Sequence, residues 1–319
     1  MVHPLFQTIR RGRPTTDRRR ARKAKAAYAK AEPKASLDAT NKPFRALLGC
    51  LLWIAGVTRP DISWAVGRMA RESTAPTDRS WARLVGIAAY LKNTADRKLT
   101  FRAGDAPGWD RLIVFCDSDW AGDPSYRSTT GAITFYNGAP IAWSSKLQTV
   151  SGRDVTALSS GEAEFYALGT GTRMALGFRQ QMAAIDDLPP SSATRTVVAS
   201  KSADRLKTFA VWDDTSDTEV LGHGADGTAT TVASDSQVAL TMARNPTNKR
   251  SRHIGYRLQF VRDAVDYLQT RPHYVGTLAQ PADLLTKPGT APSLEQYGDL
   301  LAGIGTCPPT RQLFPGVGA

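Results

Sequence analysis

Few backbone arrangements accommodate the stretch Ile113-Val-Phe-Cys-Asp-Ser-Asp-Trp-Ala-Gly-Asp-Pro124. Ile113 to Cys116 are apolar or nearly so, and β-branched or aromatic at most positions, which reads as a short buried strand. The strand runs straight into Asp117, then Asp119 and Asp123, with Gly122 and Pro124 marking a turn. A carboxylate at the end of a buried strand is costly unless something pairs with it. Close carboxylate pairs repel by roughly 1–4 kcal/mol at ordinary effective dielectric. A divalent metal ion relieves that repulsion, and hard oxygen ligands suit magnesium or manganese. A solvated, Asp-rich turn is the alternative.

The chain on either side narrows the fold class. Residues 42 to 95 read as helical, with Phe44, Leu47, Leu48, Leu51, Leu52 and Ile54 at helical spacing. Thr58-Arg-Pro-Asp61 interrupts them, and Ile62, Ala65, Val66 and Met69 make the next apolar stripe. Thr77 or Asp78 can cap a third helix, which carries Trp81, Leu84, Ile87, Ala88 and Leu91. A compact three-helix unit follows, with no reactive chemistry in it. From Leu99 the period changes to that of strands. Leu99–Arg102, 112–117, Gly131–Tyr136 and Pro140–Ser145 are expected strands, the last three joined as a meander with a hairpin at Asn137-Gly138. Ser159 or Ser160 can cap a helix with Glu162 in its first turn. Thr230–Ser234 is an expected strand ending at Asp235, followed by helices at 237–243 and 254–268, a strand at His273–Gly276, and a short helix opening at Ala282.

Composition restricts the class of function. At 319 residues the chain suits two domains, or one with extensions, and 41% hydrophobic content supports a core. Cys50, Cys116 and Cys307 have neither metal-ligand spacing nor a disulfide framework, which fits a reduced intracellular compartment. No apolar run reaches the length of a membrane span, so no membrane partner is expected. Of the formal net charge of +12, residues 1–34 carry +9: seven Arg and four Lys against Asp17 and Glu32. Such a head is either a solvated polyanion-binding tail or a targeting signal.

Five motifs occur in order: Cys116-Asp-Ser-Asp-Trp-Ala-Gly-Asp123, Ala142-Trp-Ser-Ser-Lys146, Ala157-Leu-Ser-Ser-Gly-Glu-Ala-Glu-Phe-Tyr-Ala-Leu168, Ser234-Asp-Ser-Gln237 and Pro281-Ala-Asp-Leu-Leu-Thr-Lys287. Together they resemble the ribonuclease H domain of Ty1/copia retrotransposon Pol polyproteins. Upstream, Phe44-Arg-Ala-Leu-Leu-Gly-Cys-Leu-Leu-Trp53, Thr58-Arg-Pro-Asp-Ile-Ser-Trp-Ala-Val66 and Ala89-Tyr-Leu-Lys92 resemble the end of the reverse transcriptase in the same polyproteins.

The resemblance implies an α/β fold, a ribonuclease H-like five-stranded mixed sheet with flanking helices. A small thumb- or connection-like helical unit precedes it. The expected divisions are a basic head at 1–41, the helical unit at 42–98, the ribonuclease H-like domain at 99–288 with an insertion at about 186–229, and a loose tail at 289–319. It further implies hydrolysis of the RNA strand of an RNA–DNA hybrid with two Mg²⁺ ions, Mn²⁺ being an alternative. Asp117, Glu164, Asp235 and Asp283 match the four catalytic, metal-binding carboxylates, and Glu162 is the competitor for the Glu164 role. Arg127, Lys146, Lys249, Arg250 and Arg252 are candidate phosphate binders, since hybrid recognition uses shape, 2′-hydroxyls and phosphates. His253 is either a solvated helix start or a phosphate contact, and His273 reads as a strand residue.

The sequence contains no Tyr-x-Asp-Asp polymerase motif, so no DNA synthesis is expected from this chain, and a separate or upstream reverse transcriptase is the implied partner. A cytoplasmic particle or the nucleus is the expected location. Two alternatives stay open: a catalytically inactive nucleic-acid-binding remnant, and a structural subunit assisting a separate polymerase.

Overall fold

The computed structural model describes residues 42–101, 112–150, 153–185, 229–244, 254–267, 269–289, 291–303 and 310–311. The basic head, all but the last residue of the 186–229 insertion, and Lys249, Arg250, Arg252 and His253 lie outside the described residues. No helix among the described residues is long and apolar enough to cross a membrane.

Among the described residues three helices come first: α1 (Phe44–Val57), α2 (Ser63–Ala70) and α3 (Asp78–Asn93), with a 3-10 turn at Pro60–Ile62. Their shared interior holds Phe44, Leu48, Leu51, Ala55, Ile62, Val66, Met69, Leu84 and Ile87. Thr77, not Asp78, caps α3: its side chain accepts from the Ser80 amide, and the Ser80 hydroxyl accepts from the Thr77 amide. The break between α1 and α2 is a buried ion network. Arg59 donates to both Asp61 oxygens at 2.9 and 2.7 Å and to the Thr94 carbonyl at 3.0 Å, while the Tyr90 hydroxyl donates to Asp61 at 2.8 Å. These bonds tie the start of α2 to the end of α3 and explain why a charged tetrapeptide interrupts an apolar run.

The second unit is built on β1 (Leu112–Asp119), β2 (Thr129–Tyr136), β3 (Ala139–Leu147), β6 (Thr230–Ser234) and β7 (Thr270–Val275). A two-residue hairpin of β4 (Thr149–Val150) and β5 (Arg153–Asp154) follows β3. The sheet order is β3-β2-β1-β6-β7-β8, where β8 (Thr310–Arg311) is a short antiparallel edge. β1 pairs antiparallel with β2 and parallel with β6, and β6 pairs parallel with β7. This is the expected five-stranded mixed sheet with one short edge strand added. Asn137 and Gly138 both have positive φ, 46° and 79°, the conformation a tight two-residue hairpin requires.

Alternation along β1 sorts its side chains between two cores. Val114 and Cys116 pack with α4 (Ser160–Ile185), α5 (Gln237–Arg244) and α6 (Gly255–Asp266) through Phe165, Leu168, Leu240, Leu258 and Val261. Ile113 and Phe115 face the opposite side, where Leu284, Leu285, Tyr297, Leu300 and Leu301 close over them. Phe115 and Phe135 meet edge to face, centroids 5.8 Å apart.

Two expectations need correction. The segment 289–319 is not simply a loose tail: Ala291–Leu301 forms α7, which inserts Tyr297, Leu300 and Leu301 into the second core. Gly and Pro on both sides hid its apolar spacing. Leu99–Phe101 are not strand: among the described residues no strand runs beside them, and the Thr100 amide donates to the Ala302 carbonyl at 2.7 Å, while Arg102 lies outside the described residues.

Candidate metal centre

Asp117 lies one residue before the end of the buried part of β1, opposite Gly131 of β2, and is 1% exposed. Being of the same parity as Ile113 and Phe115, it lies on the side covered by the 3-10 turn Pro281–Leu285. That turn approaches closely because position 131 is glycine. A Cβ there would stand 2.8 Å from the Ala282 carbonyl oxygen, Leu285 Cβ and Thr286 Cγ2. Gln280, fully buried, ties the turn to β1 by donating to the Cys116 carbonyl at 3.0 Å. Thr286 donates its hydroxyl to Asp117 Oδ2, and Lys287 Nζ lies 2.7 Å from Asp283 Oδ1 and 3.5 Å from Asp117 Oδ2.

Glu164 arrives from the first turns of α4. Ser159 caps that helix, accepting from the Glu162 amide at 3.2 Å. Gln148 fixes the helix against the sheet, with its amide donating to Ser118 Oγ at 3.1 Å, Thr130 Oγ1 at 3.0 Å and the Ala163 carbonyl at 2.8 Å. Asp235 follows directly on β6, whose parallel pairing with β1 brings the two strand ends level.

One oxygen from each of Asp117, Glu164 and Asp235 lies within 4.8 Å of the others. Burial, then the charges of Asp117 and Asp235, push the Glu164 carboxyl up to about 9. Burial and Asp117 push Asp235 up against a hydrogen bond from Thr277, and push Asp283 up to about 7 against Lys287. Burial disfavours the Lys287 ammonium, but Asp117 and Asp283 outweigh it and raise its pKa above the ordinary lysine value. The Ser118 amide donates to the Glu164 carboxylate, yet Glu164 Oε2 is buried with no hydrogen-bond partner. A buried, unpartnered carboxylate oxygen among like charges fits the binding of a divalent cation, and an all-oxygen set fits a hard one.

The other candidates fall as follows. Glu162 accepts from the Leu158 amide at 2.8 Å and the Tyr166 hydroxyl at 2.7 Å, a capping arrangement within its own helix start. Asp123 lies outside the acidic group. Though burial opposes its charge, hydrogen bonds from Ser125 and the Arg71 guanidinium hold its carboxyl below the ordinary value. Arg127 ion-pairs with Asp154 at 2.9 Å and donates to the Gln148 carbonyl at 3.2 Å. Lys146 is exposed on β3, opposite Thr130, which is itself opposite Ser118. His273 lies in β7, paired with Ala233. Sequence reasoning gave no role to Gln148, Gln280, Thr286 or Lys287. The last three sit in or beside the Pro281–Lys287 motif, and Gln148 carries no local signal.

This sheet order, with acidic residues converging where parallel and antiparallel pairings meet, defines a ribonuclease H-like α/β domain. Curated relatives name its lineage. The chain is 38% identical over 123 residues to the Retrovirus-related Pol polyprotein from transposon RE2 of Arabidopsis thaliana, covering 38% of this chain and 8% of that protein. It is 30% identical over 247 residues to the corresponding protein from transposon TNT 1-94 of Nicotiana tabacum, covering 77% of this chain and 15% of that one. The chain is a homologue of copia-type retrotransposon Pol polyproteins, of whose length it spans only a small part. It is also 37% identical over 138 residues to Secreted RxLR effector protein 161 of Plasmopara viticola, covering 43% of this chain and 91% of that protein. No family model and no solved structure matches the chain.

Proposed function

We propose that the chain hydrolyses the RNA strand of RNA–DNA hybrids in a magnesium-dependent reaction. The observation that carries this reading is the meeting of Asp117, Glu164 and Asp235, from three elements far apart in sequence, around an unpartnered buried Glu164 oxygen. Asp117, Glu164 and Asp235 would hold a divalent cation, which supplies positive charge at the phosphate and activates water for attack on it. Hydrolysis forms a bond from water oxygen to phosphorus and breaks one P–O ester bond, the departing oxygen taking a proton.

The chain's own residues set the geometry. Thr286 orients Asp117 by its hydroxyl, and the Ser118 amide holds one Glu164 oxygen. Gln148 keeps the start of α4 at the strand end, and Gln280 keeps the Asp283 turn there. The two-ion arrangement implied by the resemblance further needs Asp283, whose Oδ1 is engaged by Lys287. The substrate partner proposed is the hybrid itself, with exposed Lys146 and the basic head as phosphate contacts.

The test is cleavage of a labelled hybrid by the full chain in Mg²⁺, with duplex DNA as control. Hybrid-specific cleavage is expected, and Asp117→Asn should lower the rate by at least about a hundredfold, the scale of removing a principal electrostatic contributor. An unchanged rate in that variant rules the assignment out. Hybrid binding without turnover would favour the inactive remnant.

A further inference from the structure

The acidic residues divide into two groups. Asp117, Glu164 and Asp235 offer oxygens that all lie within 4.8 Å of one another. Asp283 lies outside that trio, its carboxyl in contact with that of Asp117, and the Lys287 ammonium engages both. Lys287 Nζ sits 2.7 Å from Asp283 Oδ1 and 3.5 Å from Asp117 Oδ2. An ion bridging Asp283 Oδ1 and Asp117 Oδ2 would have to displace that ammonium from both oxygens.

Lys287 is not a solvated surface charge that swings away at little cost. Its side chain is 25% exposed. Its amide donates to the Asp283 carbonyl at 3.1 Å, and the preceding residue, Thr286, donates to both Asp117 Oδ2 and the Asp283 carbonyl. Gln280 and the close approach at Gly131 hold the whole turn on β1 and β2. The backbone of the lysine is thus tied to the turn that carries Asp283, which brings both charges to the site together.

We propose that the site takes one divalent cation, on Asp117, Glu164 and Asp235, and that the Lys287 ammonium between Asp117 and Asp283 supplies the charge a second ion would bring. This rests on the metal-dependent reading above and specifies its stoichiometry. The lysine keeps Asp283 paired and keeps Asp117 Oδ2 engaged from one side, so that the trio is completed by a single ion.

The experiment is a titration of the metal-free full chain with Mn²⁺, read by the electron paramagnetic resonance signal of free Mn²⁺ at neutral pH. One Mn²⁺ per chain is expected in the wild type and two in Lys287→Met, which keeps the length and removes the charge. Two in the wild type overturn the proposal, as does none. One in a folded Lys287→Met chain overturns the role given to the lysine. Should that variant not fold, Asp283→Asn decides: it should still bind one Mn²⁺, and loss of the ion would mean that Asp283 belongs to the single-ion set. Hybrid cleavage is scored separately. One bound Mn²⁺ without cleavage removes the nuclease reading and leaves the single-ion occupancy standing.

Discussion

Glu164 shows what the fold imposes on one side chain. Its carboxyl is pushed up to about 9 by burial and by Asp117 and Asp235, from an ordinary value of 4.5. The metal-free folded chain therefore keeps a proton there that the unfolded chain releases. By linkage, this group's contribution to stability is fully present below about pH 4.5 and is lost as pH rises through about 9. A divalent cation takes the place of the proton, so its stabilising effect grows with pH. Differential scanning calorimetry should show Mg²⁺ raising Tm more at pH 8.5 than at pH 6. Glu164→Gln should raise Tm of the metal-free chain at pH 8.5 and abolish the Mg²⁺ increment; an increment surviving in that variant would remove Glu164 from the cation site. The four acids could be picked out in the sequence because each sits at the edge of an apolar run or inside a short motif. Lys287, Gln280 and Gln148 could not. A polar residue that earns its role by reaching across 30 to 170 positions leaves no periodic trace, as with Gln148 to Ser118 and Lys287 to Asp117.

At the scale of elements, the close contact between β2 and the Pro281–Leu285 turn controls where Asp283 and Lys287 stand. Gly131→Ala places a Cβ 2.8 Å from three atoms of that turn, two of them side-chain carbons and one a backbone oxygen. Backbone cannot rotate aside, so the turn must move outward. Overpacking of this kind costs about 1–3 kcal/mol, readable as a lower urea midpoint at unchanged slope. Displacement of the turn should also slow hybrid cleavage by roughly a hundredfold, the usual scale for misplacement of about 1 Å. A variant with the same lowered midpoint but full activity would show that the turn matters for folding alone. The strands themselves were readable, since β1, β2 and β3 alternate or run apolar and the Asn137-Gly138 turn has its own signature. α7 was not, because glycine and proline flank a helix whose apolar side is recognisable only once the second core is there to receive it. Leu99–Phe101 failed in the opposite way: local preference suggested a strand where no partner strand runs among the described residues.

Over the whole molecule, the helical unit and the sheet are joined by contacts that no local pattern could announce. The Trp143 indole on β3 donates to the Ala55 carbonyl at 2.6 Å, and Arg71 ion-pairs with Asp123 in the turn after β1. The turn that follows the candidate site is thereby braced by the helical unit, and one of the three acids in the opening stretch is used for docking rather than for metal. The affinity proposed for the hybrid draws on a different feature. Residues 1–34 carry +9 of the net +12, a charge readable without any structure. If that head contributes phosphate contacts, its deletion should weaken hybrid binding most at low salt and least at high salt. The slope of log K against log salt should become shallower by about 3 units or more, as for three or more lost contacts. The cleavage rate at saturating hybrid should stay the same, because the acids proposed to hold the cation, Asp117, Glu164 and Asp235, are all retained. An unaltered salt slope after deletion would assign the head to another task, targeting among them, and would leave hybrid binding to the folded surface around Lys146.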